Sequence, residues 1–223
     1  MVVGSFTSYN GNVVNRIVRL NSDGTRDFSF NPGNGPSDTV LDMEIQEDGK
    51  IIIGGGFTNY AGTNRNRIAR VLETGGLDFD FTPTSGGNGT VNKVAIDEFG
   101  RILVGGLFSS FNGNLINKII RLNPNGTTDV SFNVGTGTDF VPQAISFQST
   151  GRIILAGEFK EYRSIGRNHI ARIFPCEIQQ TIDNNISCNN YTWVESGLSY
   201  NESGTYYTTV SDQAGCDTLK QLN

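Results

Sequence analysis

The sequence predicts an all-β chain, in which tandem 51-residue units of four strands form an incomplete β-propeller of about 3.5 blades over residues 1–175. A small β-rich module follows at 176–223. Three observations carry this. The chain aligns with itself at a lag of 51 residues without insertion. Within each unit, short apolar segments alternate with glycine turns, and no segment shows the i, i+3, i+4 apolar spacing of a helix.

The lag is visible as columns. Gly4, Gly55, Gly106 and Gly157 coincide, as do Phe6, Phe57, Phe108 and Phe159, and Asn15, Asn66, Asn117 and Asn168. Ile17, Ile68, Ile119 and Ile170 follow, and then Arg19, Arg70, Arg121 and Arg172. Asp27, Asp78 and Asp129 form a further column, and Phe30, Phe81 and Phe132 another.

The elements of a unit read in order. Met43-Glu44-Ile45, with Val94-Ala95-Ile96 and Ile145-Ser146-Phe147, alternates as a strand with one buried face does. Gly49, Gly100 and Gly151 then supply a tight turn. Ile51-Ile52-Ile53, Ile102-Leu103-Val104 and Ile153-Ile154-Leu155 are unbroken apolar runs, expected of a strand covered on both faces. A third strand is expected from Asn15 to Leu20 and at its equivalents, and a short fourth around Phe28-Ser29-Phe30. Met1 falls inside the second strand of its unit, so the reading is of a fragment of a longer chain, an open arc whose missing blades lie elsewhere.

The repeats resemble the delta-60 repeat β-propeller family over residues 1 to about 174. The resemblance rests on Gly49-Lys50-Ile51-Ile52-Ile53-Gly54-Gly55-Gly56-Phe57-Thr58-Asn59-Tyr60, on Asn66-Arg67-Ile68-Ala69-Arg70 and on Asp78-Phe79-Asp80-Phe81. It implies a propeller carried on large exported bacterial proteins or on phage virion proteins, and it implies no known activity.

The repeat fails after Cys176, where Glu177 and Gln180 replace the expected Gly and Asp. Tyr191 and Trp193, then Tyr206 and Thr208, alternate as short strands. With Cys188 early and Gly215-Cys216-Asp217 late, the segment is similar to small β-rich modules of secreted Bacteroidetes surface proteins. Fewer than about 50 residues bury little core, so a Cys188–Cys216 disulfide is expected to support it. The alternative is three buried thiols, and Cys176 is left over in either case.

Charge narrows the partners. The formal net charge is −5, and residues 177–223 carry six acids against Lys220 alone, which leaves residues 1–176 neutral. Neither part offers the basic stripe that a nucleic acid needs. No apolar run reaches the roughly 20 residues of a membrane helix. Met1-Val2-Val3-Gly4 lacks the basic and apolar segments of a secretory leader, so an extracellular or cell-surface location is expected from the resemblance alone.

The chain has one histidine, His169, in the column of Arg16, Arg67 and Lys118, which reads as a polar strand position. No Ser-His-Asp or Cys-His set and no zinc spacing can be assembled, and no cofactor is expected. Arg19 and Asp27, Arg70 and Asp78, and Arg121 and Asp129 lie eight residues apart across a turn. They are read, with Arg172, as structural bidentate ion pairs; the rival is a ring of charged heads for a ligand. Tyr9, Tyr60, Phe111 and Tyr162 form an aromatic column that either stacks on sugars or covers a blade edge. The function expected is a non-catalytic binding or structural module, in adhesion or ligand display toward an unknown protein or carbohydrate. A phage virion protein is the alternative, with a glycan-active enzyme behind both.

Overall fold

The repeat organises the computed structural model, which describes residues 1–149, 151–174, 179–184, 191–194, 196–200, 202–211 and 217–223. The chain divides into two units, Met1–Val130 with Val134–Ile173, and Ser131–Asn133 with Phe174–Asn223. All named elements are strands.

In the first unit, repeat one holds β1 (Val2–Val3), β2 (Ser8–Tyr9), β3 (Asn12–Val13) and β4 (Ile17–Val18). Repeat two holds β5 (Val40–Ile45), β6 (Ile51–Gly55), β7 (Asn59–Tyr60), β8 (Thr63–Asn64) and β9 (Ile68–Val71). Repeat three holds β10 (Val91–Ile96), β11 (Ile102–Gly106), β12 (Ser110–Phe111), β13 (Asn114–Leu115) and β14 (Ile119–Leu122). Repeat four holds β15 (Pro142–Phe147), β16 (Ile153–Gly157), β17 (Glu161–Tyr162), β18 (Ile165–Gly166) and β19 (Ile170–Ile173).

Each full blade is an antiparallel sheet with the apolar run at its centre, in the orders β5-β6-β9, β10-β11-β14 and β15-β16-β19. The central position explains the composition, since β6 and β11 are buried at every residue. The fourth strand shrinks to one bridge per blade, Leu20 to Arg26, Val71 to Leu77 and Leu122 to Thr128. It therefore precedes the Asp column, and Phe28–Phe30 is not the strand expected there. Phe30 N–H instead donates back to Asp27 O at 3.3 Å.

The third strand also starts later than expected, at Ile17, Ile68, Ile119 and Ile170. The residue before each has a left-handed backbone: Arg16 at φ 66°, Arg67 at 70°, Lys118 at 65° and His169 at 64°. Ile17 N–H bonds Asn15 O and Ile119 N–H bonds Asn117 O, both at 2.8 Å, which closes γ-turns around Arg16 and Lys118. His169 is therefore a turn residue, not a strand residue.

An element that the apolar pattern does not mark is the hairpin β7–β8, repeated as β2–β3, β12–β13 and β17–β18. It lies between the second and third strands, and its outer residue bridges the incoming linker: Pro36 to Tyr60, Gly87 to Phe111 and Thr138 to Tyr162.

Neighbouring blades pack through their first strands, β5 against β10 and β10 against β15. Two apolar clusters result. One joins Ile17 and Phe30 of repeat one to Ile53, Phe57 and Tyr60 of repeat two. The other joins Ile52, Ile68 and Phe81 of repeat two to Val94, Val104 and Phe108 of repeat three. A Cβ on Gly54 would overlap Val91 of the next blade, so the contact requires a residue without one.

The second unit has a mixed sheet in which β24 (Asp217–Leu222) lies between β20 (Gln179–Asp183), parallel, and β23 (Tyr206–Ser211), antiparallel. β21 (Tyr191–Trp193) and β22 (Leu198–Tyr200) form a hairpin. Trp193 is fully buried, and the Tyr200 and Tyr206 rings lie 3.9 Å apart. Cys176, Cys188 and Cys216 lie outside the described residues, and the disulfide expectation with them.

Candidate functional site

The Arg and Asp columns meet as the eight-residue spacing suggests. Arg19 Nε donates to Asp27 Oδ2 at 2.7 Å, Arg70 Nε to Asp78 Oδ2 at 2.8 Å and Arg121 Nε to Asp129 Oδ2 at 2.7 Å. The bidentate fork expected from sequence is not how Arg19 and Arg70 bind. Each sends Nη1 into the next repeat instead, Arg19 to Glu73 O at 2.8 Å and Arg70 to Pro124 O at 2.6 Å. One guanidinium thus ties its own Asp to the turn of the following blade. Arg19 and Arg70 also lie 5.4 and 5.2 Å from the ring centres of Phe30 and Phe81.

The Asp side of the clasp is equally occupied. Asp27 Oδ1 accepts Ser29 N–H and Ser29 Oγ–H, and Asp78 Oδ1 accepts Asp80 N–H. Ser29, with Arg19 adding to it, holds the Asp27 carboxyl below the usual range. Burial pushes Asp78 upward, but the Asp80 N–H, Arg70 and Lys50 outweigh it and hold that carboxyl low as well. Lys50 Nζ joins at 3.3 Å from Asp78 Oδ2. Burial lowers the Arg121 guanidinium, against the pull of Asp129. Arg172 is exposed on β19, and the Asp column ends before it.

The aromatic column closes the hairpins onto the blades. Tyr60 and Phe111 are fully buried, so they present no face to a sugar, and Tyr9 and Tyr162 are half-buried. Tyr60 Oη–H donates to Gly75 O at 2.6 Å and Tyr9 Oη–H to Gly24 O at 2.8 Å. Phe111 has no hydroxyl, and there Asn112 Nδ2 reaches the equivalent carbonyl, Gly126 O, at 3.0 Å. The same acceptor is satisfied from the neighbouring side chain.

A second set of blade contacts is invisible as a column because its residue type changes. Ser37 Oγ accepts Thr58 and Asn59 N–H, Asn88 Oδ1 accepts Ser109 and Ser110 N–H, and Asp139 Oδ1 accepts Lys160 and Glu161 N–H. Three side chains of different chemistry each cap two hairpin N–H groups of the next repeat. The Glu161 N–H, with the others, holds the Asp139 carboxyl low.

The first strands of blades two and three are joined by a charged contact. Asp42 Oδ1 accepts from Lys93 Nζ at 3.2 Å, and Asp42 Oδ2 accepts Val94 N–H at 3.0 Å. Glu44 beside them is raised by desolvation and by the Asp42 charge. A further buried pair, Arg101 Nε to Asp97 Oδ2 at 2.7 Å, braces the β10–β11 turn. His169 Nδ1 lies 3.1 Å from Gly157 O, beside the strand end that Arg67 Nη1 reaches through Gly56 O in repeat two. Among the described residues, no group of three His, Cys, Asp or Glu side chains is placed to hold a metal.

A family model described as "Domain of unknown function (DUF5122) beta-propeller" matches residues 1–30, 46–81, 100–132 and 148–175, more than half of the chain. The chain belongs to this family. The matched segments of the DUF5122 repeats contain the Arg–Asp clasps and the central strands, and the gaps between them fall on the linkers and on the whole of the first strands β5, β10 and β15. No curated protein matches the chain.

Proposed function

We propose that the chain is a non-catalytic binding or structural module of a larger secreted or cell-surface bacterial protein, acting in adhesion or ligand display. One observation carries this reading. The recurring charged side chains are committed to holding blade to blade: Arg19 and Arg70 bond their own Asp and the next repeat's carbonyl at once. A reactive group has to be available to substrate, and these are not. Positions left free of these contacts face solvent from a rigid scaffold, a setting that suits recognition. The sequence resemblance to delta-60 repeats, and that of residues 176–223 to modules of Bacteroidetes surface proteins, supports an extracellular setting.

The test is a panel of polysaccharides and matrix proteins incubated with the purified chain, reading retention and product release together. Saturable retention with no released product is expected. Turnover of any member of the panel would overturn the non-catalytic reading.

A further inference from the structure

One column of the repeat is apolar and faces solvent. Phe28 is 75% exposed, Phe79 66% and Val130 92%, although each follows a clasped Asp. An exposed phenyl ring contributes little to the fold, and its recurrence at equivalent positions marks a contact surface. A guanidinium lies over each ring, Arg26 at 5.1 Å from the Phe28 centre and Arg65 at 5.8 Å from that of Phe79.

These two arginines come from different columns. Arg26 shares its column with Leu77 and Thr128, and Arg65 shares its own with Val14, Ile116 and Arg167. The scaffold contacts reuse equivalent positions, but here non-equivalent positions deliver the same group to equivalent rings. Neither arginine forms an ion pair among the described residues, whereas Arg19, Arg70, Lys93, Arg101 and Arg121 all do.

Each platform therefore offers an aromatic face beside a guanidinium whose charge is not neutralised. A phenyl ring packs on the C–H face of a pyranose, and a guanidinium matches a carboxylate through paired N–H donors. A ligand carrying both features at intervals suits platforms that occur in two successive repeats, and a linear polymer meets that condition where a folded protein does not. We infer that the Phe28–Arg26 and Phe79–Arg65 platforms bind an acidic, uronate-bearing polysaccharide. This rests on the binding reading above and names its ligand class.

The experiment is affinity electrophoresis of the full chain through gels containing polygalacturonate or alginate, with neutral dextran as control. Retardation by the polyuronates and not by dextran is expected, weakening as sodium chloride is added. Phe28→Ala and Phe79→Ala should each weaken it at least fivefold, and the double variant should abolish it, with unchanged thermal midpoints. Should a Phe variant fold poorly, Arg26→Gln and Arg65→Gln carry the same expectation. Undiminished retardation of the double variant, or none of the wild type, overturns the inference, as does self-association that the Phe variants remove. Retention of a different panel member by wild type and double variant alike, with no retardation by the polyuronates, overturns this inference alone. Released product overturns the non-catalytic reading while the Phe dependence still decides the platforms.

Discussion

At the scale of single residues, the Arg70–Asp78 clasp concentrates the most consequence in the fewest atoms. Both side chains are buried, at 9% and 5% exposure. Asp78→Ala leaves the Arg70 charge without its carboxylate, and such a loss costs about 3 kcal/mol or more. Chemical denaturation followed by far-ultraviolet circular dichroism should show that fall. Arg70→Lys should also lower stability, because one ammonium cannot reach both Asp78 and Pro124 O along the guanidinium's directions. The same carboxylates set the acid limit. Asp27 and Asp78 are held below their unfolded value of about 3.9, so their stabilisation is complete above that pH and is lost as the pH falls through the folded values. Unfolding free energy should therefore drop below about pH 4, and the drop should be shallower in Asp78→Asn. An unchanged acid slope in that variant would mean that Asp78 is not linked to folding.

At the scale of elements, the hairpins test whether one hydrogen bond can be moved between neighbouring side chains. Blade two uses Tyr60 with Ala61, and blade three uses Phe111 with Asn112, to satisfy the same turn carbonyl. Asn112→Ala should cost about 1–2 kcal/mol by leaving Gly126 O without that donor. Adding Phe111→Tyr restores the blade-two arrangement and should recover most of the loss, which a double-mutant cycle measures. Asp139 permits a parallel test, because Asn88 does its work one repeat earlier. Asp139→Asn should stay within about 0.5 kcal/mol of wild type, and Asp139→Ala should cost about 1 kcal/mol, both read by thermal melts. The central strands were legible in the sequence because a strand covered on both faces must be apolar throughout, and Ile51 to Ile53 is. The hairpins were not, since two-residue strands show no alternation. The left-handed turn was hidden because Arg16, Arg67 and Lys118 have no preference for positive φ; the γ-turn bonds at Arg16 and Lys118 accompany it. Half of each clasp was also hidden: its acceptor is a backbone carbonyl, on Glu73 in one blade and Pro124 in the next, and no residue type marks it.

At the scale of the repeat region, the blades are joined neighbour to neighbour, so stability is a sum of blade and junction contributions. Side-chain contacts at the junction between blades two and three include Arg70 on Pro124 O, Asn88 on the hairpin N–H groups and Asp42 on Lys93 and Val94. The next junction has Ala144 in the Lys93 column and so lacks the third of these. The ion-pair half of the Asp42 contact is partly exposed and weak in salt. Its acceptor half matters more, because β10 is the edge of its sheet and Val94 N–H bonds Asp42 rather than a strand. Asp42→Ala should therefore release Val94 to amide exchange at least tenfold faster, while Val104 in the buried centre of the same blade keeps its protection. Lys93→Met, which removes the charge and keeps the acceptor, should leave Val94 protected. Equal acceleration at Val94 and Val104 in Asp42→Ala would instead mean that the blade opens as a whole, and that the Asp42 contact supports the junction only through global stability.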